Sequence, residues 1–486
     1  MSGARDADIS RLAPLTQDPF FRAMLSRPRT AFFRACFAGL VSLACATAWA
    51  VNAESDSVPQ ETLAKAKAGD AQAQFELGIF YSNNGSIKNY RPRDADEWLR
   101  KAAEQNHLGA MLQLIDLDYA EQGLGWDDSE IARWLERAAA LGHTRSASRL
   151  GILLWNGGRG LPQDRARAYP LVRTAALRGD ETALLLLAER ALDGIGVKRD
   201  PAVAVQILNF GAKDGILRAR QHIKVLPENA RRLPYPAEIF NKLEKLADKK
   251  DPDALLLLAL SQQNDPDYLS QHADDSVESR RAKIRTLLEK AAAVGQPEAL
   301  ARLGIIYANG QGVPVDNDKA VGYFERGAAA NNALSQLNLA VLIMDGKAGR
   351  ADPARVVSLL TAASATNPNA AFELGMIYYE GQLQPRDIGR AQSLFEQAAQ
   401  SGHEGALINL GVISINGENG TADPVAAQKW WMMAQLGGSK KGDELVKRSA
   451  PRLTAEQRAD AAHQVHEWQE VRIKARAAQL PELTLD

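Results

Sequence analysis

The stretch Ala299–Val313, ALARLGIIYANGQGV, carries the pattern that decides the fold. Counted from Ala299, a leucine follows at four residues, a glycine at five, a tyrosine at eight and a second glycine at eleven. Residues four and eight positions apart share one face of a helix, so the pattern predicts an amphipathic helix that ends at a glycine-containing loop. The first glycine removes a side chain from that helix, and we expect another helix to approach closely there.

The same register returns five more times, starting at Ala73, Ser146, Ala183, Ala370 and Ala406. A second pattern follows the copies, in which an apolar pair precedes a pair of small residues, as in Leu394-Phe395 and Ala398-Ala399. Each copy is therefore interpreted as two short helices packed through small side chains. The predicted structural positions are Gly78, Gly151, Gly304, Gly375 and Gly411 on the first helices, and Ala102, Ala138, Ala175, Ala291, Ala328 and Ala398 on the second helices.

The spacing of the copies predicts ten repeats when the glycine-equivalent residue of each is taken as its anchor. The intervals are 35 to 37 residues, apart from one of 45 whose extra residues fall in the polar stretch 261–280, an expected surface insertion. The repeat at Lys224 lacks the glycine and the tyrosine and is inferred from spacing. The anchors are Gly78, Ile115, Gly151, Ala188, Lys224, Ala259, Gly304, Ala340, Gly375 and Gly411.

The predicted fold is an all-α, right-handed α/α superhelical solenoid of about ten two-helix repeats. A last helix begins near Thr454 and Gln457, which stand at capping-box spacing, and we expect it to cover the final apolar face. The predicted organisation is an N-terminal extension with a signal peptide or anchor at 1–53, a short lead-in at 54–69, the solenoid at 70–438, and a C-terminal capping helix and tail at 439–486.

An uncharged stretch near the start, residues 35–51 (ACFAGLVSLACATAWAV), has the order of parts of an export signal. Arginines precede it, and small residues allow cleavage near Ala50 or Ala53. A basic segment of ordinary length opens at Met24, so Met24 is an alternative start to Met1. Seventeen weakly apolar residues also reach the short end of a membrane span, which leaves an uncleaved inner-membrane anchor as the alternative.

Composition limits the classes of function. Lys and Arg number 58 against 59 Asp and Glu, so the formal charge is −1 and there is no basic excess for a nucleic-acid partner. Hydrophobic residues make up 45% of the chain, which is ample for a packed core. Cys36 and Cys45, its two cysteines, both lie in the apolar stretch 35–51, so the predicted mature protein contains neither disulfide nor cysteine chemistry.

An Ala-x-x-x-Leu-Gly-x-x-Tyr-x-x-Gly helix followed by an aromatic and Ala-Ala helix, repeated at 35 to 37 residues, resembles the Sel1-like repeat family, a relative of the tetratricopeptide repeats. The resemblance covers about 70–438. It implies an α/α solenoid that holds other proteins together, in bacteria often as an exported factor of the cell envelope. One cysteine-rich branch of the family is associated with β-lactams, and its cysteine pairs are absent here.

The sequence predicts no catalytic residue, no metal ligand and no cofactor. His107, His143 and His403 recur at one repeat position, which favours a structural or solvent-facing role over metal binding, and no glycine loop completes a phosphate-binding fingerprint. Aromatic side chains near the ends of first helices or in loops are the candidate partner contacts, because first helices commonly line the concave face of such a superhelix. These residues are Trp126, Trp155, Tyr307 and Tyr379.

The function predicted from these observations is a non-enzymatic scaffold or adaptor in the bacterial cell envelope. A protein partner, or a glycan, is expected to bind in the concave groove, and the membrane is a partner only through an uncleaved N-terminal segment. The expected location is periplasmic or secreted. Two alternatives remain open, an envelope enzyme acting on a glycan or β-lactam, and a membrane-anchored regulator with a cytoplasmic N-terminus.

Overall fold

A computed structural model describes residues 60–82, 91–119, 127–349 and 352–486. Over these residues the chain forms 24 α-helices. Two isolated antiparallel bridges, Gly158 with Leu161 and Val197 with Leu485, are the β-type pairings found in this part of the chain. The prediction of an all-α solenoid is confirmed.

The described chain divides into two compact units. The C-terminal unit holds residues 234–475, and the N-terminal unit holds the described residues up to 233 together with Arg476–Asp486. The boundary falls in the irregular stretch between Pro227 and Pro236, inside the fifth predicted repeat, the one without a glycine anchor.

The helices of the N-terminal unit are α1 (Gln60–Lys67), α2 (Ala71–Ser82), α3 (Pro92–Glu104), α4 (Leu108–Tyr119), α5 (Asp128–Ala140), α6 (Thr144–Asn156), α7 (Arg165–Leu177), α8 (Glu181–Asp193), α9 (Pro201–Lys213) and α10 (Leu217–Val225). Those of the C-terminal unit are α11 (Pro236–Asp248), α12 (Pro252–Asn264), α13 (Pro266–Gln271), α14 (Val277–Ala293), α15 (Pro297–Asn309), α16 (Asn317–Ala329), α17 (Ala333–Met344), α18 (Pro353–Ser364), α19 (Pro368–Glu380), α20 (Ile388–Ala399), α21 (Glu404–Asn416), α22 (Pro424–Leu436), α23 (Lys440–Ser449) and α24 (Ala455–Ala477). Each predicted anchor lies on a different helix, namely α2, α4, α6, α8, α10, α12, α15, α17, α19 and α21.

The anchor glycines lie against a buried apolar side chain of the following helix. A Cβ atom added to Gly375 of α19 would stand 2.7 Å from Cε1 of Phe395 on α20, and Phe395 is fully buried. Real Cβ atoms do not approach other heavy atoms so closely, so the missing side chain is what admits the ring. The same relation joins Gly78 to Leu99, Gly151 to Val172, Gly304 to Phe324 and Gly411 to Trp431.

Small residues of the second helices lie one turn after the side chain that covers the anchor glycine. Ala398 follows Phe395 by three residues, and both are fully buried. Ala102, Ala138, Ala175 and Ala291 are fully buried at the equivalent place. In the repeat anchored at Gly304, the buried small residue is Gly327, three residues after Phe324, whereas the predicted Ala328 is half-buried. The Gly-Ala pair offers two small side chains, and helix rotation selects the one that shares a face with Phe324.

The insertion between the repeats anchored at Ala259 and Gly304 contains more than surface loop. It forms α13, whose Tyr268 is buried and meets Phe240 edge-on with the ring centroids 5.1 Å apart. Asp265 is also buried, and its carboxylate caps α13 by accepting from the backbone N–H of Asp267 at 3.0 Å. The polar composition concealed this packing, because one aromatic side chain is sufficient to anchor a short helix.

Histidines cap three of the first helices. The Nδ1 atom of His403 accepts from the backbone N–H of Ala406 at 3.2 Å, and its ring stacks on Phe372 with the centroids 4.4 Å apart. Burial lowers the pKa of His403, so the neutral ring that can accept this bond is the favoured form. His107 and His143 cap α4 and α6 in the same way, and burial lowers the pKa of each. Of the two roles left open by the sequence, structural or solvent-facing, these bonds show the structural one.

The final helix α24 begins with the predicted capping box. Gln457 accepts from the backbone N–H of Thr454 at 2.9 Å, and the Thr454 hydroxyl accepts from that of Gln457 at 3.1 Å. Val465 belongs to the hydrophobic core of the last repeats, and Trp468 meets Trp430 of α22 edge-on with the centroids 6.5 Å apart. The helix therefore covers the apolar end of the C-terminal unit, as a cap must.

The predicted signal or anchor, residues 1–53, and the first part of the lead-in lie outside the described residues. Within the described part of the chain, none of the helices combines the length and the apolar character needed to cross a bilayer.

Substituting an anchor glycine tests the close approach of the two helices. The Gly375→Ala substitution places a methyl group against Phe395, and we expect it to lower the free energy of unfolding by about 1–3 kcal/mol through overpacking. The matched control is Gly322→Ala in α16, where a Cβ meets no atom within 4 Å. Since alanine favours helix by up to about 1 kcal/mol over glycine, the control should stabilise. Urea denaturation followed by circular dichroism measures both, and equal effects of the two substitutions would contradict the packing role.

The histidine caps predict a loss of stability in mild acid. A histidine with a lowered pKa in the folded state stabilises fully above its ordinary pKa of 6.5, and this stability is lost as the pH falls through the folded pKa. The melting temperature should therefore fall as the pH drops below about 6.5. His403→Asn keeps a capping oxygen that does not titrate, so it should flatten this dependence. Asn332→Ser exchanges one non-titrating cap for another on α17 and is the control that should leave the slope unchanged. An unchanged slope in His403→Asn would refute the assignment.

Candidate functional site

Trp155, one of the predicted contact residues, is fully buried. Its indole Nε1–H donates to the carbonyl oxygen of Ile195 at 3.2 Å, and its ring meets Tyr169 edge-on with the centroids 6.4 Å apart. Trp155 therefore supports Tyr169 and the loop that contains Ile195 from beneath and presents no surface to a partner.

Tyr307 is half-buried in the last turn of α15. Its ring stacks on Tyr323 with the centroids 5.7 Å apart, and the Lys319 ammonium lies 5.1 Å from its centroid. A cation over an aromatic ring is attracted by the negative face of the ring. The pairing recurs at the same repeat position, where Arg91 covers Tyr81 at 5.9 Å and Arg390 covers Tyr378 at 5.4 Å.

Tyr379 joins two successive repeats. Its hydroxyl donates to Oε1 of Glu418 at 2.9 Å, and Nη2 of Arg386 lies 2.5 Å from the other oxygen of the same carboxylate. Burial, followed by the Glu418 charge, raises the pKa of Tyr379 well above its ordinary value, so this phenol remains a donor. The half-buried ring has a strong internal partner and offers only part of its surface to another molecule.

The fourth predicted contact, Trp126, lies outside the described residues. The three described candidates each have partners within the fold; Trp155 lies in the N-terminal unit, and Tyr307 and Tyr379 lie in the C-terminal unit. Among the described residues, no group of three or more His, Cys, Asp or Glu side chains could hold a metal ion.

The structure reveals a different surface, on which the N-terminal unit holds an extended stretch of its own chain. Residues 478–486, AQLPELTLD, follow α24 without helical structure, and we call them the docked segment. Leu480 and Leu483 are 2% and 7% exposed, whereas Glu482 and Thr484 are exposed. Two leucine side chains thus fix the segment, and the side chains between and after them point away from the core.

Side chains of α7 bind the main chain of the docked segment. Arg173, whose side chain is 13% exposed, donates from Nη1 to the carbonyl oxygen of Pro481 at 2.8 Å and from Nη2 to that of Leu480 at 3.0 Å. Its Nη2 also donates to the carbonyl oxygen of Ala477 at 3.1 Å. One turn earlier, the Tyr169 hydroxyl accepts from the backbone N–H of Leu483 at 2.9 Å.

The loop between α8 and α9 pairs with the end of the docked segment. The backbone N–H of Lys198 donates to the carbonyl oxygen of Thr484 at 2.9 Å, and that of Asp486 donates to the carbonyl oxygen of Gly196 at 3.4 Å. These bonds flank the antiparallel bridge between Val197 and Leu485. Gly196 has a φ of +78°, a conformation that places its carbonyl here and that suits glycine.

Sequence reasoning missed this surface. The signal in the docked segment was the set of leucines in LPELTLD after a polar helix, a pattern typical of an extended, half-buried stretch. The receiving side chains Tyr169 and Arg173 lie in a second helix some 300 residues away in sequence. No periodicity connects two segments so far apart, so only the tertiary structure could pair them.

The Sel1 repeat family matches the chain at residues 71–107, 122–143, 144–180, 182–215, 297–332, 368–403 and 405–434. The protein is a Sel1-repeat protein. The unmatched stretches 108–121, 216–296 and 333–367 hold helices α4, α10–α14 and α17–α18, so the two-helix pattern continues through sequence that the family does not match.

Similar proteins come from several bacteria. An uncharacterized protein of Neisseria meningitidis serogroup B is 26% identical over 360 residues, covering 74% of this Sel1-repeat protein and 70% of the relative. The alginate biosynthesis protein AlgK of Pseudomonas syringae pv. tomato is 23% identical over 419 residues, covering 76% of this chain and 85% of AlgK. Among solved structures, c5321 of uropathogenic Escherichia coli, a protective antigen displaying an SLR fold, is 22% identical over 87% of this chain and 97% of that chain, with a TM-score of 0.40.

Removing the Arg173 guanidinium should loosen the docked segment. Charge-assisted hydrogen bonds contribute about 1.5–3 kcal/mol, so Arg173→Ala should accelerate amide exchange of the segment and of Lys198 by about 10- to 100-fold. Arg167→Ala is the matched control, because Arg167 lies on the same helix and its exposed side chain pairs with Glu136. Hydrogen–deuterium exchange mass spectrometry gives both rates. Equal protection in the two variants would show that Arg173 does not hold the segment.

Proposed function

We propose that this Sel1-repeat protein is a non-enzymatic scaffold that binds a protein partner in the bacterial cell envelope. Sel1-repeat proteins generally mediate protein–protein interaction. Repeats that contact mainly their neighbours build an extended surface, and such a surface gains affinity from preorganisation. A glycan is the second class of ligand that this surface could receive.

The docked segment is the observation that carries the proposal. The N-terminal unit already binds an extended peptide, by Arg173 and Tyr169 to main-chain atoms and by burial of Leu480 and Leu483. Binding an extended chain through its backbone is a recurring mode of protein recognition. The rigid helix pairs around this site are set by packing, so the site is formed before a ligand arrives.

Two observations support a location in the envelope. Residues 35–51 have the composition of an export signal with cleavage near Ala50 or Ala53, and a relative of which 85% is covered by the match is named for alginate biosynthesis. We propose a periplasmic or secreted mature protein, with an inner-membrane anchor made of the same stretch as the alternative. The remaining proposed regions are the lead-in at 54–69, the solenoid at 70–438, and the capping helix and tail at 439–486.

The half-exposed Tyr307 and Tyr379 are the proposed contacts on the first helices of the C-terminal unit. Each is held in a fixed orientation, Tyr307 by Tyr323 and Tyr379 by Glu418. Aromatic side chains that are already fixed lose little conformational entropy when a partner covers them, which suits them to interaction sites.

Affinity capture from envelope extract tests the scaffold function. The chain carrying a C-terminal epitope tag, expressed in its own host and cross-linked before extraction, should enrich a defined set of envelope proteins. Tyr307→Ala with Tyr379→Ala should reduce recovery of at least one of them, while the control Tyr235→Ala, at a tyrosine 63% exposed, should not. Recovery of the tagged chain in the cytoplasmic fraction, or capture of no protein or glycan, would count against the proposal.

A further inference from the structure

We propose that the docked segment is an intramolecular ligand, and that an extended, leucine-bearing acidic segment of a partner protein binds the same site when the docked segment leaves. The inference rests on the proposed function in one respect, namely that the partner is a protein. It adds the location of one site, the chemistry of its ligand and a competitor within the chain.

The hydrogen bonds at this site go to main-chain atoms of the docked segment, so they depend little on its sequence. Within the docked segment, Arg173 binds two carbonyl oxygens and Tyr169 binds one amide, and the loop containing Gly196 and Lys198 pairs with the segment as one strand pairs with another. The third carbonyl that Arg173 binds, that of Ala477, belongs to the end of α24. An extended peptide presents amide and carbonyl groups at the spacing that this loop and Tyr169 use. The site therefore has the means to hold a segment from another chain.

Selectivity comes from the few side chains that the site encloses. Leu480 and Leu483 are buried, and their spacing of three residues sets the pattern Leu-x-x-Leu. Glu482 lies 3.6 Å from Arg173, which favours an acidic residue between the leucines. The expected partner segment thus contains Leu-Pro-Glu-Leu or a close equivalent in an extended conformation.

The end of the docked segment is attached in a way that permits exchange. Glu482, Thr484, Leu485 and Asp486 are exposed, and Leu485 keeps 36% of its surface in solvent. Before it, Arg476 anchors the end of α24 through the carbonyl oxygen of Leu177 at 2.6 Å and the Asp214 carboxylate. The anchor at Arg476 keeps the segment near its site even when residues 480–486 have left, so the internal ligand competes at high effective concentration.

Two variants of the full chain hold the site in its free state and in its occupied state. Leu480→Asp with Leu483→Asp places charges at the two buried positions and releases the segment. Val197→Cys with Leu485→Cys, in a chain with Cys36 and Cys45 changed to serine, locks the segment in place under oxidising conditions. Val197 and Leu485 form a bridge flanked by hydrogen bonds, the pair type with the closest side chains, and this suits a disulfide.

The probe is a fluorescein-labelled peptide AQLPELTLD, titrated against each variant by fluorescence anisotropy. A short tether gives an effective concentration of about 1 mM, so a segment that stays docked implies a dissociation constant for the free peptide below about 1 mM. We expect saturable binding to the released variant, at least tenfold weaker binding to the wild type, and none to the oxidised lock until a reductant is added. Arg173→Ala in the released variant should abolish binding, whereas Arg167→Ala should not.

Failure of the released variant to bind the peptide up to about 1 mM, with its circular dichroism spectrum unchanged, would overturn the inference. So would failure of the cysteine pair to oxidise, since the two positions would then not be adjacent. A wild-type dimer that the leucine substitutions abolish would identify the segment of a second copy as the occupant instead. If the peptide fails to bind while envelope capture still recovers partners, the scaffold function stands and this inference alone falls.

Discussion

The contact between a glycine on one helix and a large side chain on the next is the constraint on which the rest of the structure depends. Gly375 and Phe395 show it, because a single added carbon would stand 2.7 Å from the ring. With the side chain absent, the helices of a repeat approach through backbone and ring, and alanine fills the next turn. This spacing is what lets short helices of 12 or 13 residues bury enough apolar surface to be stable.

Successive repeats are joined by caps that are also packing elements. His403 satisfies a free backbone N–H at the start of α21 and stacks on Phe372 of the preceding first helix. The same ring therefore contacts one repeat and caps the first helix of the next, and the capping bond requires the neutral ring. Tyr379 and Glu418 make a second connection further along, where burial keeps the phenol protonated as a donor.

The aromatic residues predicted to contact a partner make most of their contacts within the fold. Trp155 is enclosed, Tyr307 is covered by Lys319, and Tyr379 is bound by Glu418. The surface with the geometry of a peptide site is instead the one around Arg173, which the chain occupies itself. A surface that recognises backbone atoms has little sequence signature. Arg173 and Tyr169 alone on a helix do not indicate a peptide site, and only their contacts with the docked segment identify it.

The sequence alone determined the helix pairs, their number, the anchor glycines and the cap at Thr454, because all of these follow from local periodicity and from the backbone groups left free at helix ends. It located small residues to within one position, as Gly327 and Ala328 show, because adjacent small side chains differ only in the direction that helix rotation gives them. Only the tertiary structure decided that Trp155 is buried, that Tyr268 anchors the insertion, and that LPELTLD lies against Tyr169 and Arg173. Those outcomes depend on which distant surfaces meet, and that is set by the summed packing of many repeats rather than by any pattern within one.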